Sequence, residues 1–285
     1  MTLNSVNTNY GAMIALESLN RTNSALSDVQ KQVSTGFRVA DSTDDGAAYA
    51  VAQSVRSTVG ALTTANQQLG NVQGLLSTTQ SGLNDVSNTM ASMRDVLVSL
   101  SDGATTGDQR TQYITQYNSL LANVKSDIQD AGYAGKTLVG NITGSNSFAN
   151  FGHVATVRND QGASYALQSF SGSALLASLT FTSTQLGGAG TVQGLISASG
   201  TFLNQQNAVG TALNTVGSEV NFVANQISYN SDKVDALNTG IGALVDANLA
   251  QESAQLQALQ IRQQLGTQAL SLANQAPQTL LSLFK

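Results

Sequence analysis

One periodic pattern limits this chain more than any other feature. Val51, Val55, Thr58, Leu62, Ala65, Leu69, Val72, Leu76, Thr79, Leu83, Val86, Met90, Met93, Leu97 and Leu100 follow one another in alternating steps of four and three. A seam held for about seven heptads demands a partner helix along its length. The implied helix is roughly 75 Å long at about 1.5 Å per residue. It starts at a cap in "STDDG" and stops at Asp102-Gly103. Met90 and Met93 fall on the seam, which makes them core filler.

The pattern recurs. Tyr113, Tyr117, Leu120, Val124, Ile128 and Ala131 predict a shorter helix ending at Gly132. Val209, Leu213, Val216, Val220, Val223, Ile227, Val234, Leu237, Ile241 and Leu244 predict a second long one, with Asn230 filling one seam place. Antiparallel pairing of the two long helices is the simple topology. Between them the period changes. "HVATVRNDQGASYALQSF" reads as a hairpin turning at Asn159-Asp160-Gln161-Gly162, "LTFTST" as a further strand, and "LGGAGTVQG" as a flexible connection. Residues 141–200 are thus a small β-rich, Gly/Ser-rich insert. One proline and no tryptophan among 285 residues suit long uninterrupted helices.

The two ends have a different character. In the N-terminal helix Ala12, Leu19, Leu26 and Val33 lie seven apart, and Leu3, Val6, Tyr10, Met13 and Leu16 extend the face towards a stop near Gly36. After Leu244 the register jumps five residues to a seam of Leu249, Leu256, Leu259, Leu270 and Ala273. Beside it runs a second stripe: Ala254, Ala258, Ile261, Leu265, Ala269, Leu272 and Ala276. Between Ala254 and Phe284 the one charged side chain is Arg262. The terminal helices cover one stripe of each other, and the other stays wet. Burying it is worth on the order of 10 kcal/mol before entropy, so these ends are expected to be disordered alone and to fold on association. A patch satisfied by a different surface of the next copy is heterologous and builds a ring or an open helix.

Composition closes other routes. With no cysteine and His153 as the single histidine, disulfides, thiolate nucleophiles, His-based triads and His/Cys metal clusters lack parts. "GGAG" near 187 is too loose for a phosphate loop, and Asp44-Asp45 open a helix as cap and dipole partners. Asp246 and Glu252 sit on a solvated face at the register jump. No enzyme and no cofactor are expected. The net charge of −5 offers nucleic acid no basic footprint. No apolar run approaches about 18 residues, so no membrane partner is expected, and no cleavable signal opens the chain. Taken alone, this points to the cytoplasm. A helical signalling or adaptor bundle would also use such heptads, but as a stable dimer without an ordered polymer.

"LVDANLAQESAQLQALQIRQQLGTQALSLANQAPQTLLSLFK" resembles the C-terminal segment of bacterial flagellins, and "LNSVNTNYGAMIALESLNRTNSALSDVQKQVSTGFRVADSTDDGAAYAVAQSVRS" resembles their N-terminal segment. The likeness covers about the first 140 and last 80 residues, in order, and resembles the short flagellins without large outer domains. "DDGAAYA" departs from the family, which usually has Gly after the two alanines. The resemblance implies a homopolymer of many copies, the filament of the bacterial flagellum. It further implies export unfolded through the flagellar type III apparatus, an export chaperone and a filament cap. The location becomes secreted and extracellular, where a chain without cysteine has nothing to cross-link during passage. A hook–filament junction protein shares such ends; the uninterrupted C-terminal match and small insert favour flagellin. In some flagellins the segment matching "NTMASMRDVLVS" is read by a vertebrate innate receptor. Arg94 matches one arginine of that pattern, and Ser92 stands where the other would be. Ser92 and Arg94 therefore mark a helix face turned to solvent, to another subunit or to a receptor.

The expected fold is mainly α: a long antiparallel coiled-coil bundle with a small β-hairpin insert, its terminal helices forming a coiled-coil inner domain. The parts are 1–41 and 246–285 (inner terminal domain), 42–140 and 201–245 (helical rod) and 141–200 (outer insert). The polymerisation surface falls on Leu19, Leu26, Val33, Leu249, Leu256, Leu259, Ile261, Leu265 and Leu272. Limited digestion of dilute monomer by a broad-specificity protease should trim both ends to a core near residues 45–240; ends that survive would sink the disorder.

Overall fold

The computed structural model describes residues 8–140 and 154–283, with side chains through 275. His153, Leu3, Val6 and Ala276 lie outside the described residues or side chains. The chain forms two compact units, residues 1–58 with 235–285, and residues 59–234.

In the second unit the heptad appears as a dry seam. Helix α1 (Tyr10–Thr35) belongs to the first unit. Helix α2 (Gly46–Ser101) buries every seam position from Leu62 to Leu100, Met90 and Met93 included. Val51, where the pattern begins, is half exposed, and Ala52 takes the inward place. Helix α3 (Gly107–Asp130) adds Tyr117, Val124 and Ile128 to the same core. Helix α7 (Thr201–Val245) adds Phe202, Val209, Val216 and Val223. Within this unit α2 and α7 run antiparallel. Asn66 bonds Asn230, whereas Thr79 and Leu83 share a crevice with residues 208–216.

Two strands unforeseen in the sequence, β1 (Gly132–Tyr133) and β2 (Lys136–Thr137), form a hairpin through Ala134-Gly135. Both turn residues have positive φ, the conformation that matches strand twist in a two-residue loop. The expected hairpin is present as β3 (Ala155–Val157) and β4 (Ser164–Ala166). Asn159 makes its turn by accepting from Gln161 and Ala163 N–H groups.

Beyond the hairpin, expectation and structure part. "LTFTST" is not a strand. Helix α4 (Gly172–Leu179) runs into it, and Thr182 with Gln185 forms a capping box that opens α5 (Ser183–Gly187). "LGGAGTVQG" is not a free connection either, because α6 (Ala189–Ile196) fills most of it and buries Val192. Side-chain caps and burial outweighed the strand propensity of Thr and Phe. The α7 seam also slips by one at its end: Leu244 is exposed and Val245 is buried.

The β3–β4 hairpin is fastened by polar groups. Asn230, fully buried in the α7 seam, donates to Asn66 Oδ1 at 2.9 Å and to the Arg158 carbonyl at 3.0 Å, and accepts from Gln226. Lys233 pairs with Asp160 at 2.8 Å. A satisfied polar group in a seam fixes register, since a slip would strand it.

Helix α3 approaches α2 closely at Gly82. A Cβ there would stand 2.5 Å from Ala131 Cβ and 3.3 Å from the Asp127 carbonyl, whereas one on Gly70 meets open space. Both Gly→Ala changes gain helix propensity of about 1 kcal/mol, but Gly82→Ala also overpacks, at a cost of about 1–3 kcal/mol. Urea titration should give a raised midpoint for Gly70→Ala and a lowered one for Gly82→Ala. Equal shifts would contradict the close approach.

Candidate assembly surface

The first unit is built on α1 and α8 (Leu249–Leu283), packed antiparallel. Asn9 caps α1 by accepting from Ala12 N–H at 3.0 Å, and its amide donates to the Ala273 carbonyl at 2.7 Å. Leu19 packs over Gly266, where a Cβ would lie 3.2 Å from it. Gln263 donates to Asn23 at 2.8 Å. At the other end α1 stops at Gly36, whose φ of 75° closes the last turn.

This pair has a thin core. Val29 and Leu259 are its buried side chains among the described residues. Leu19, Leu26, Val33, Leu256, Leu270 and Ala273 are half-buried along the same seam. Val29 was not among the expected residues, though the steps Leu26, Val29, Val33 carry it. Leu249, expected on this seam, is half exposed.

The second stripe of α8 faces solvent in the single chain. Ile261 and Leu265 are each 58% exposed and Leu272 is 70% exposed; Ala254, Ala258 and Ala269 between them are exposed too. On α1, Tyr10, Met13 and Leu16 do not extend the paired face. They are exposed, together with Ile14, which lies four residues from Tyr10 and was missed. The surface therefore carries exposed apolar side chains along helices with little charge.

The connections between the helices form a clasp. Gly36 accepts from Ala247 N–H, Phe37 bridges Asp246, and Arg38 and Val39 N–H groups both donate to the Val245 carbonyl. The Arg38 guanidinium reaches the Leu244 carbonyl at 2.5 Å, satisfying the last turn of α7. Arg56 lies over the Phe37 ring at 6.0 Å. Asp45 caps α2 by accepting from Ala47 and Ala48 N–H groups. Asp44 accepts from the N–H groups of Ala40 and Asp41. Lys31 joins Asp41 and Asp44, at 2.7 Å each. Asp246 is exposed and Glu252 half-buried.

Ser92 and Arg94 stand exposed on α2, opposite the buried Met90 and Met93. Among the described residues no three metal-ligating side chains converge, and no helix is long and apolar enough to cross a membrane.

Comparison with known proteins places these elements. Residues 6–143 match the family model of the bacterial flagellin N-terminal helical region, and residues 198–284 match that of the C-terminal helical region. Flagellin FljK of Caulobacter vibrioides is 32% identical, over 100% of both chains. A flagellin of Brucella melitensis is 34% identical over 99% of each. A putative flagellar hook-associated protein from Vibrio parahaemolyticus shares the fold at a TM-score of 0.55 and 16% identity, covering 71% of this chain and 100% of that one.

Both strands of the clasp fall inside the matched regions. Its ion pairs set a pH dependence. The Lys31 ammonium, then the Thr43 hydroxyl and N–H, hold Asp41 well below the usual carboxylate range; Lys31 and the Ala40 N–H lower Asp44. Depressed carboxyls favour the folded clasp above the ordinary Asp value of about 4 and lose that contribution as pH falls through their folded values. Amide exchange at Ala40 and Asp41 should accelerate on acidification below about pH 4, beyond its intrinsic trend. Lys31→Met should remove most of that extra response, and an unchanged response in this variant would count against the clasp.

Proposed function

The chain belongs to the bacterial flagellin family, and from that premise we propose how its surfaces serve the work of a structural subunit of the flagellar filament. The terminal pair is the polymerising end. Leu19, Leu26, Val33, Leu256 and Leu259 hold α1 against α8, while Leu249, Ile261, Leu265 and Leu272 meet other copies. The observation that carries this is the stripe at Ile261, Leu265 and Leu272, apolar and exposed on a nearly uncharged helix. Burying those three side chains is worth roughly 5–9 kcal/mol before association entropy. The stripe and the α1 patch of Tyr10, Met13 and Ile14 are different surfaces, so the contact is heterologous and propagates.

Such ends belong near the filament axis, away from water, and the insert at 141–200 belongs outside. Its polar turn and short elements suit a solvated surface. Family membership supports reading the chain as one that passes unfolded through the flagellar export apparatus, with an escorting chaperone and insertion beneath a filament cap, to a secreted, extracellular location. A two-helix pair with so little core costs little to unfold before export. Ser92 and Arg94 then stand on an exposed α2 face, open to a neighbouring copy or an outside receptor. The fold contributes structure rather than catalysis.

Seeded polymerisation viewed by electron microscopy tests this. Leu265→Asp should remain soluble and fail to form filaments, because an unpaired carboxylate in each contact costs several kcal/mol. A short polar tag between Asn159 and Gly162 should assemble normally and be reached by antibody along the filament. Filaments from Leu265→Asp, with none from the tagged chain, would invert the proposed arrangement.

A further inference from the structure

Glu219 is the one charged residue of α7 between Thr201 and Ser231, and it points inward. It is 3% exposed. Its Oε1 accepts the Gln168 N–H at 2.8 Å, which fastens the stretch after β4, residues 167–170, onto α7. Its Oε2 is buried with no hydrogen-bond partner.

The elements around it offer no counter-charge. Helix α2 has no charged residue between Arg56 and Asp85, and the chain from Gln161 to Gly200 has none. Among the described residues no cation pairs with Glu219. The charged side chains of α3 (Asp108, Arg110, Lys125, Asp127 and Asp130) do not enter its balance. The titratable group facing it is Tyr165 of β4, whose ring stacks on Phe222 at 4.3 Å. Burial raises the Glu219 carboxyl, and the Gln168 N–H opposes this only in part.

A crevice opens beside Gln168, whose N–H the Glu219 carboxylate accepts. The crevice, of about 500 Å³, is lined by Gln168, Ser169 and Phe170 on one side and by Thr215 and Val216 of α7 on the other. At its wall Thr79 Oγ1 is buried without a partner, so water entering there finds a polar group to bond.

We propose that Glu219 is a proton-operated latch. Protonated, it stays inside the unit and holds residues 167–170 against α7. When it loses its proton to solvent, the bare carboxylate draws water through the crevice and the stretch lifts. The closed form binds the proton more tightly than the open form. Raising the pH from the ordinary glutamate range upward therefore favours opening, and acid favours closure. A purely structural role would weaken the whole unit as pH rises and speed exchange of its slow amides together, whereas the latch speeds exchange at residues 167–170 alone. The latch sits in the second unit and is independent of the terminal stripe, so its test does not turn on filament formation.

The chain has three glutamates, Glu17, Glu219 and Glu252. Selective side-chain ¹³C labelling of the full-length monomer therefore gives three resonances, among which Glu219 is assigned by its loss in Glu219→Gln. The Glu219 midpoint should lie above the ordinary glutamate range. Exchange of the Gln168 amide, corrected for its intrinsic pH trend, should rise roughly tenfold per pH unit above the ordinary glutamate range and level off beyond that midpoint. In Glu219→Gln, which keeps the acceptor and removes the proton, Gln168 should stay protected at all pH values. A Glu219 midpoint inside the ordinary glutamate range would overturn the latch. So would a Gln168 exchange rate that ignores the Glu219 titration, or a Glu219→Gln variant with the wild-type pH response.

Discussion

The dry seam of α2 is the interaction on which the second unit depends. From Leu62 to Leu100 each inward position is buried, and the partners are supplied by α3, α7 and the short elements between them. With charge scarce along α2, ion pairs contribute little, and the register rests on apolar fit and a few polar contacts. The close approach at Gly82 and the buried Tyr117, whose hydroxyl donates to the Leu179 carbonyl at 2.8 Å, show how tightly that fit is drawn.

Polar groups inside this core fall into two kinds. Asn230 is surrounded by partners and turns a seam position into an anchor for the hairpin. Thr79 Oγ1 and Glu219 Oε2 are buried without partners. A satisfied group rigidifies, whereas an unsatisfied one stores a preference for another arrangement. The two kinds occur on the same helices, so one region of the unit is locked while its neighbour is poised.

The first unit solves a different problem. Its helices share a thin seam and leave apolar groups in water, which a finished soluble domain avoids. For a polymer subunit that must first exist as a single chain, the same arrangement is useful: a thin seam and an exposed stripe on the terminal helices leave apolar surface for the contact proposed above. The clasp, in which Arg38 and the N–H groups of residues 38 and 39 satisfy the end of α7, ties the terminal pair to local hydrogen bonds rather than to a large core.

Much of this is legible in the sequence. Seam register along most of α2, helix stops near Gly36 and at Asp102-Gly103 and the two-striped character of α8 depend on spacing and on caps, which are local and survive in one dimension. The stretch from 172 to 196 was misread because its helices are short and hold themselves by a capping box and by burying Leu175, Leu186 and Val192, contacts that no period announces. Leu244 gave way to Val245 and Val51 to Ala52 because the rotation of a helix is decided by what faces it. Glu219 is the clearest case. On the sequence it is one charge on a polar helix, and only the packing of residues 167–170 and Tyr165 around it removes the water that would otherwise hold that charge.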